Sequence, residues 1–165
     1  MIKRELLQAG DVLLYRGTGV YGFVIRVKTW HQIGHVEVYH GHGVSAASRD
    51  GQGVNIYPLR EDKLCNVLRP NVPFRVSAAD RFVASMRGTP YGWWDLANFT
   101  GWHVDAKGIV CSPFATLDLR AGGVPVFNSE PANLIAPFQF LLSEHLTDIT
   151  SDIMAAPVLT PALTT

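Results

Sequence analysis

The segment "IGHVEVYHGHGVSAAS", residues 33–48, constrains the fold more than any other part of the chain. His35, Glu37 and Tyr39 alternate with Val36, Val38 and His40. A period of two is the signature of a strand, because successive side chains point to opposite faces. The tight "GHG" turn then leads straight into a second strand, so the pair is an antiparallel hairpin. "GDVLLYRGTG" upstream reads as another strand ending in a glycine turn, and "GVNIYPL" and "LCNVLRP" as further short β segments. "RDGQG" and "REDK" supply the turns between them. At least four strands joined by short connections favour an antiparallel sheet.

The period then changes. "SAADRFVASMRG" places apolar residues at Ala79, Phe82, Val83 and Met86, with Ser77 as N-cap and Gly88 and Pro90 as terminators. This predicts a helix. "SPFATLDLRAGG" predicts another, with Pro113 in its first turn and Gly122 at its C-terminal cap. "TGVYGFVIRVKTW" has helical spacing at Val20, Phe23, Val24 and Val27 despite its β-branched residues, and aromatic-rich "YGWWDLANF" reads as a short helix. "PANLIAPFQFLLSEHL" is a mixed element against the core. From residue 146 the chain becomes a Thr/Ala/Pro-rich tail without a clear period. The expected organisation is one α+β domain over residues 1–145 and a tail over 146–165. It is expected to have an antiparallel sheet or partial barrel with helices packed on one side.

Composition narrows the function classes. Of 165 residues 47% are hydrophobic and 17% charged, the balance of a globular domain. Lys and Arg number 14, as do Asp and Glu, so no basic excess points to nucleic acid. No apolar run approaches the ~20 residues of a membrane span, so no transmembrane segment is expected. No secretory signal is visible at the N-terminus, which implies synthesis in the cytoplasm. The two cysteines, Cys65 and Cys111, make neither a disulfide framework nor a zinc motif.

Cys111 directly precedes a predicted helix. Free backbone N–H groups and the positive end of the macrodipole stabilise a thiolate there. They also stabilise an oxyanion formed when that thiolate attacks a carbonyl. A nucleophile needs a base, and His35 stands at the start of a strand, on one face with Glu37 and Tyr39. The other reading is a buried core thiol and a strand histidine satisfied by its neighbours. His40 and His42, with His35 and Glu37, suggest zinc by composition. His35 has the wrong parity for such a site, so solvated turn histidines are the preferred reading. Trp93, Trp94, Trp102 and Phe99 read equally as a substrate groove or as core. His103 and Asp105 lie on an expected surface loop.

Four short motifs in order carry a resemblance: Gly10-Asp11, Gly34-His35-Val36-Glu37, Gly88-Thr89-Pro90-Tyr91 and Cys111-Ser112. Over residues 10–140 the chain resembles the circularly permuted papain-like enzymes of the NlpC superfamily, the YiiX-like group, distantly similar to lecithin–retinol acyltransferases. The resemblance implies a permuted papain-like fold with the histidine strand before the cysteine helix, and a hydrolase or acyltransferase acting on an amide or ester without a cofactor. Cys111 would be the nucleophile, His35 the base and then the acid, and Tyr91, Trp93 and Trp94 would line the substrate. By count, the family's orienting polar residue falls at Ala46. Alanine cannot orient a ring, so Glu37, Ser45 or Ser48 are the candidates to replace it, and without one activity is expected to be weak or lost. The leading expectation is an amidase or endopeptidase on peptidoglycan-type peptides, incorporated in a virion or acting at the cell envelope. The alternatives are a lipid-directed esterase or acyltransferase, and a catalytically weakened module whose tail docks onto a phage particle or secretion device.

Overall fold

The computed structural model describes residues 2–17, 32–92 and 108–154. The helix expected in 18–30 lies outside these residues, as does the part of the helix expected in 91–99 from Trp93 on, with Trp93, Trp94, Phe99, Trp102, His103 and Asp105; Tyr91 and Gly92 are not helical. Within the described residues the chain is α+β. Six strands form one antiparallel sheet in the order β4-β3-β2-β1-β5-β6. They are β1 (Val12–Arg16), β2 (Ile33–Gly41), β3 (Val44–Arg49), β4 (Gly53–Pro58), β5 (Leu64–Pro70) and β6 (Leu146–Asp148). Helices α1 (Val76–Met86) and α2 (Cys111–Ala121) follow β5, and the single turn α3 (Thr150–Ile153) follows β6.

The β2–β3 hairpin closes on His42-Gly43, with Gly41 paired to Val44. Both loop residues have positive φ, 51° and 74°. That is the type I′ geometry, whose twist matches the strands it joins. Histidine is among the residues that tolerate it.

Alternation then divides the sheet into two faces. Val12, Leu14, Val36, Val38 and Leu68 meet Cys111, Ala115 and Leu119 of α2. Ala46 and Val54 meet Val83 of α1 and Phe114 of α2. The opposite face carries Leu13, Tyr15, Tyr39 and Val67, covered by Ile2, Leu7, Leu59 and Ile153. The two longer helices thus share one face, while the terminal turn α3 belongs to the other.

Two boundaries differ from the sequence expectation. Helix α1 begins at Val76 with Arg75 as its cap, and no side chain caps it. Ser77 lies within the first turn, because the Arg75 N–H donates to the Gly122 carbonyl at 2.8 Å and ties the helix start to the end of α2. Residues 146–154, assigned to the tail by composition, pack on the domain, with 146–148 joining the sheet. β6 pairs with β5, Ile153 is buried, and Ile2 bridges Met154.

Candidate active site

Cys111 is the first residue of α2, after the extended residue Val110. Its side chain is 1% exposed. A small network fixes this helix start. The Ser48 hydroxyl donates to the Ile109 carbonyl at 2.6 Å. The Ile109 N–H donates to the Pro90 carbonyl, and the Val54 N–H to the Thr89 carbonyl. Gly88-Thr89-Pro90-Tyr91 therefore connects edge strand β4 to the residues just before the nucleophile candidate. Its role here is positional, and Tyr91 is half-buried. A Cβ on Gly108 would lie 2.7 Å from Gly92 Cα and the Pro90 oxygen, so only glycine fits that approach.

Strand β2 supplies the histidine through an interruption in its pairing. Its partner β1 takes the Tyr39 N–H, so N–H groups at even positions point toward β3. The β2–β3 register ends at Val38 and Ala46. One step further the Val36 N–H has lost its ladder partner, and it points at the Cys111 sulfur instead, alongside the Ser112 N–H. Two backbone donors thus converge on Sγ where the strands part. The His35 ring, one residue earlier, is electrostatically coupled to Cys111.

The far side of His35 is held as firmly. Nε2 lies 3.0 Å from Glu37 Oε1, which leaves Nδ1 for the thiol. Glu37 is fully buried, two residues along the same strand and on the same face. Arg49 grips it with both ends of its guanidinium, Nε to Oε1 at 2.9 Å and Nη2 to Oε2 at 3.0 Å. The Ser45 hydroxyl donates to Oε2 at 2.5 Å. Ser45 and Arg49 alternate onto the Glu37 face of β3, because Ser45 pairs with Tyr39. Ala46 pairs with Val38 and faces the helices, so it cannot reach the ring. The orienting group is the carboxylate on the histidine's own strand.

The electrostatics follow from these contacts. Burial would push the His35 imidazole down, but the Cys111 thiolate and then Glu37 outweigh it and raise the group from 6.5 to about 9. Burial would likewise push Glu37 up, yet His35, Arg49 and Ser45 hold it at about 2. Burial opposes ionisation of Cys111 too, and the His35 imidazolium with the two N–H donors overcomes it, so the thiol lies below its ordinary value. Together these directions describe a thiolate–imidazolium pair. Cys65 provides a contrast: it is half-buried, donates to the Leu14 carbonyl, and burial pushes its thiol up.

A second polar cluster corrects the turn-histidine reading of His40. His42 is exposed at the turn, but His40 is 5% exposed and points to the helix face. Its Nδ1 lies 2.7 Å from Asp80 Oδ1 of α1, and its Nε2 2.8 Å from Asp118 Oδ2 of α2. The signal was parity, since His40 falls in step with Val36 and Val38. Among the described residues no group of three or more His, Cys, Asp or Glu is arranged to hold a metal ion.

No family model matches the chain, and no curated protein matches it.

Proposed function

We propose that this protein is a thiol hydrolase with a permuted papain-like arrangement, cleaving an amide or ester bond. The observation that carries the reading is the line Cys111–His35–Glu37, with its buried and four-fold satisfied carboxylate. In this mechanism the Cys111 thiolate adds to the substrate carbonyl. The N-terminus of α2 stabilises the resulting oxyanion. The His35 imidazolium gives its proton to the leaving amine or alcohol, and an acyl-thioester remains on Cys111. Neutral His35 then takes a proton from water, the hydroxide attacks the thioester, and the acid product leaves with the thiolate restored. Glu37 keeps the ring in line and stabilises its charged form.

A peptidoglycan-type peptide is the substrate class that the resemblance implies, which would put the working protein at the cell envelope or in a phage particle. The competing reading of a catalytically weakened scaffold rested on a missing orienting group and a long tail. Glu37 supplies an orienting group, and residues 146–154 pack on the domain as β6 and α3. Neither observation favours the scaffold over the enzyme. Among the described residues no helix is long and apolar enough to cross a membrane.

The test is competitive labelling at neutral pH with iodoacetamide, read separately at the Cys111 and Cys65 peptides. Cys111 should react much faster, and His35→Ala should slow it by roughly tenfold or more. Equal, slow labelling of both thiols rules the reading out. Release of peptides from peptidoglycan, abolished by Cys111→Ala, would then assign the substrate class.

A further inference from the structure

Glu37 has no acceptor position to spare. Oε1 takes His35 Nε2 and Arg49 Nε, and Oε2 takes the Ser45 hydroxyl and Arg49 Nη2. A carboxylate offers about four lone-pair sites. A second guanidinium nevertheless stands beside it: Arg60 Nη2 is 3.3 Å from Oε1. This group lies over the Tyr15 ring, 4.5 Å from its centroid, and within reach of the Tyr15 hydroxyl. The Tyr15 ring centroid is 5.9 Å from that of His35. Arg60 Nε is buried and has no hydrogen-bond partner. The side chain as a whole is 36% exposed, so it also meets solvent.

The charges point the same way. Arg49 balances Glu37, and the His35 imidazolium balances the Cys111 thiolate. Arg60 is left over, a planar cation whose fork geometry suits a carboxylate or phosphate. Its backbone is held in place, because the Tyr15 hydroxyl donates to the Arg60 carbonyl at 3.2 Å. Arg60 meets Glu37 only as an ion pair at 3.3 Å, because the hydrogen bonds to both carboxylate oxygens come from His35, Arg49 and Ser45.

We propose that Arg60 is a substrate-docking residue that binds an anionic group, a carboxylate or a phosphate, next to the Cys111–His35 pair. This rests on the thiol-hydrolase reading and names its substrate class: the bond cleaved lies close to a negative charge. The Tyr15 ring backs the guanidinium and keeps it flat against the sheet.

The test compares two alkylating probes of similar size, iodoacetate and iodoacetamide, at the Cys111 peptide of the full chain. Their rate ratio cancels any change in thiolate fraction, which a merely structural role of Arg60 would alter. The expected result is a ratio that falls roughly three- to tenfold in Arg60→Met, since one nearby positive charge has been lost, and that Arg60→Lys largely restores. A ratio unchanged in Arg60→Met overturns the docking residue while the hydrolase reading stands. Iodoacetamide reacting no faster at Cys111 than at Cys65 overturns the hydrolase reading and the docking residue with it. Sodium acetate and inorganic phosphate, at matched ionic strength, then identify the anion. Protection of wild-type Cys111, lost in Arg60→Met, by acetate alone supports a carboxylate and by phosphate alone a phosphate. Protection by neither overturns a binding role even where the ratio falls.

Discussion

At the scale of single residues, the site is defined by protonation. His35 is held at about 9 and Cys111 below its ordinary value, so the charged pair forms at lower pH than a free thiol ionises. Alkylation of Cys111 should therefore set in at lower pH than that of an ordinary thiol. Cys65, pushed up by burial, should react only as the medium becomes alkaline. A pH–rate profile for each thiol checks this. Glu37→Gln keeps the shape and removes the charge that stabilises the imidazolium. It should lower His35, raise Cys111, move the acid limb of the Cys111 profile to higher pH, and reduce hydrolysis on the order of 10–100-fold. Stability should follow the same groups. Glu37 sits at about 2 in the fold against 4.5 outside it, so its contribution is complete above pH 4.5 and lost as pH falls toward 2. His35 is raised from 6.5 to about 9, so its contribution is complete below 6.5 and lost as pH rises through 9. Urea titrations across pH should show both losses, and His35→Ala should remove the alkaline one that belongs to this group.

At the scale of elements, α2 and β2 are joined at two points. One is Cys111 with His35. The other is Asp118 with His40, seven residues further along the helix and five further along the strand. Asp80 adds a tie to α1. Burial would lower His40, but Asp118 and then Asp80 raise it, so protonation of the ring is favoured between the two carboxylates. Burial raises Asp118, which His40 only partly offsets, and its Oδ1 has no hydrogen-bond partner. His40→Ala would leave that carboxylate buried and unpaired, at a cost of roughly 3–5 kcal/mol. The helix angle, and with it Cys111 reactivity, should suffer too. Replacing both partners, His40→Leu with Asp118→Leu, should recover much of the stability, because an apolar pair needs no counter-charge. Chemical denaturation of the single and double variants separates the two outcomes. Gly108→Ala acts at the other end of α2. A methyl group there meets Gly92 and Pro90 backbone, so it should displace the residues leading to Cys111 and cut labelling more than it lowers the melting temperature.

At the scale of the whole molecule, the sheet was legible because alternation and turn chemistry act locally. The residues from 33 to 70 announce their strands without reference to anything distant. Cys111, His35 and Glu37 were legible as a thiol before a helix, a histidine on a strand and an acid on the same face. Their mutual approach was expected from the resemblance alone, since it depends on where the β2–β3 ladder stops, and the register of a sheet is not written in either strand alone. His40 was misread for the opposite reason: glycines beside it gave a local turn signal, while its partners Asp80 and Asp118 lie 40 and 78 residues away.

The segment 146–154 was missed on similar grounds, and it carries the last prediction. Its composition resembles a tail, yet β6 covers the outer edge of β5 and the Thr150 hydroxyl accepts the Val67 N–H at 3.0 Å. Ile153 fills the face shared by Leu13 and Val67, and its carbonyl accepts the Lys3 N–H at 2.9 Å. A chain ending at residue 145 would expose Ile153's site, worth about 1.5–3 kcal/mol by itself. It would also leave β5 as an open edge, with unpaired donors and acceptors along a strand that holds Val67 and Leu68. Loss of stability and concentration-dependent aggregation are expected together. A chain ending at residue 154 keeps every one of these contacts and should unfold at a clearly higher temperature than the chain ending at 145. Thermal unfolding and light scattering of the two truncations decide it. If the shorter chain melts like the longer one, β6 and α3 are dispensable, and the domain ends where composition alone would put it.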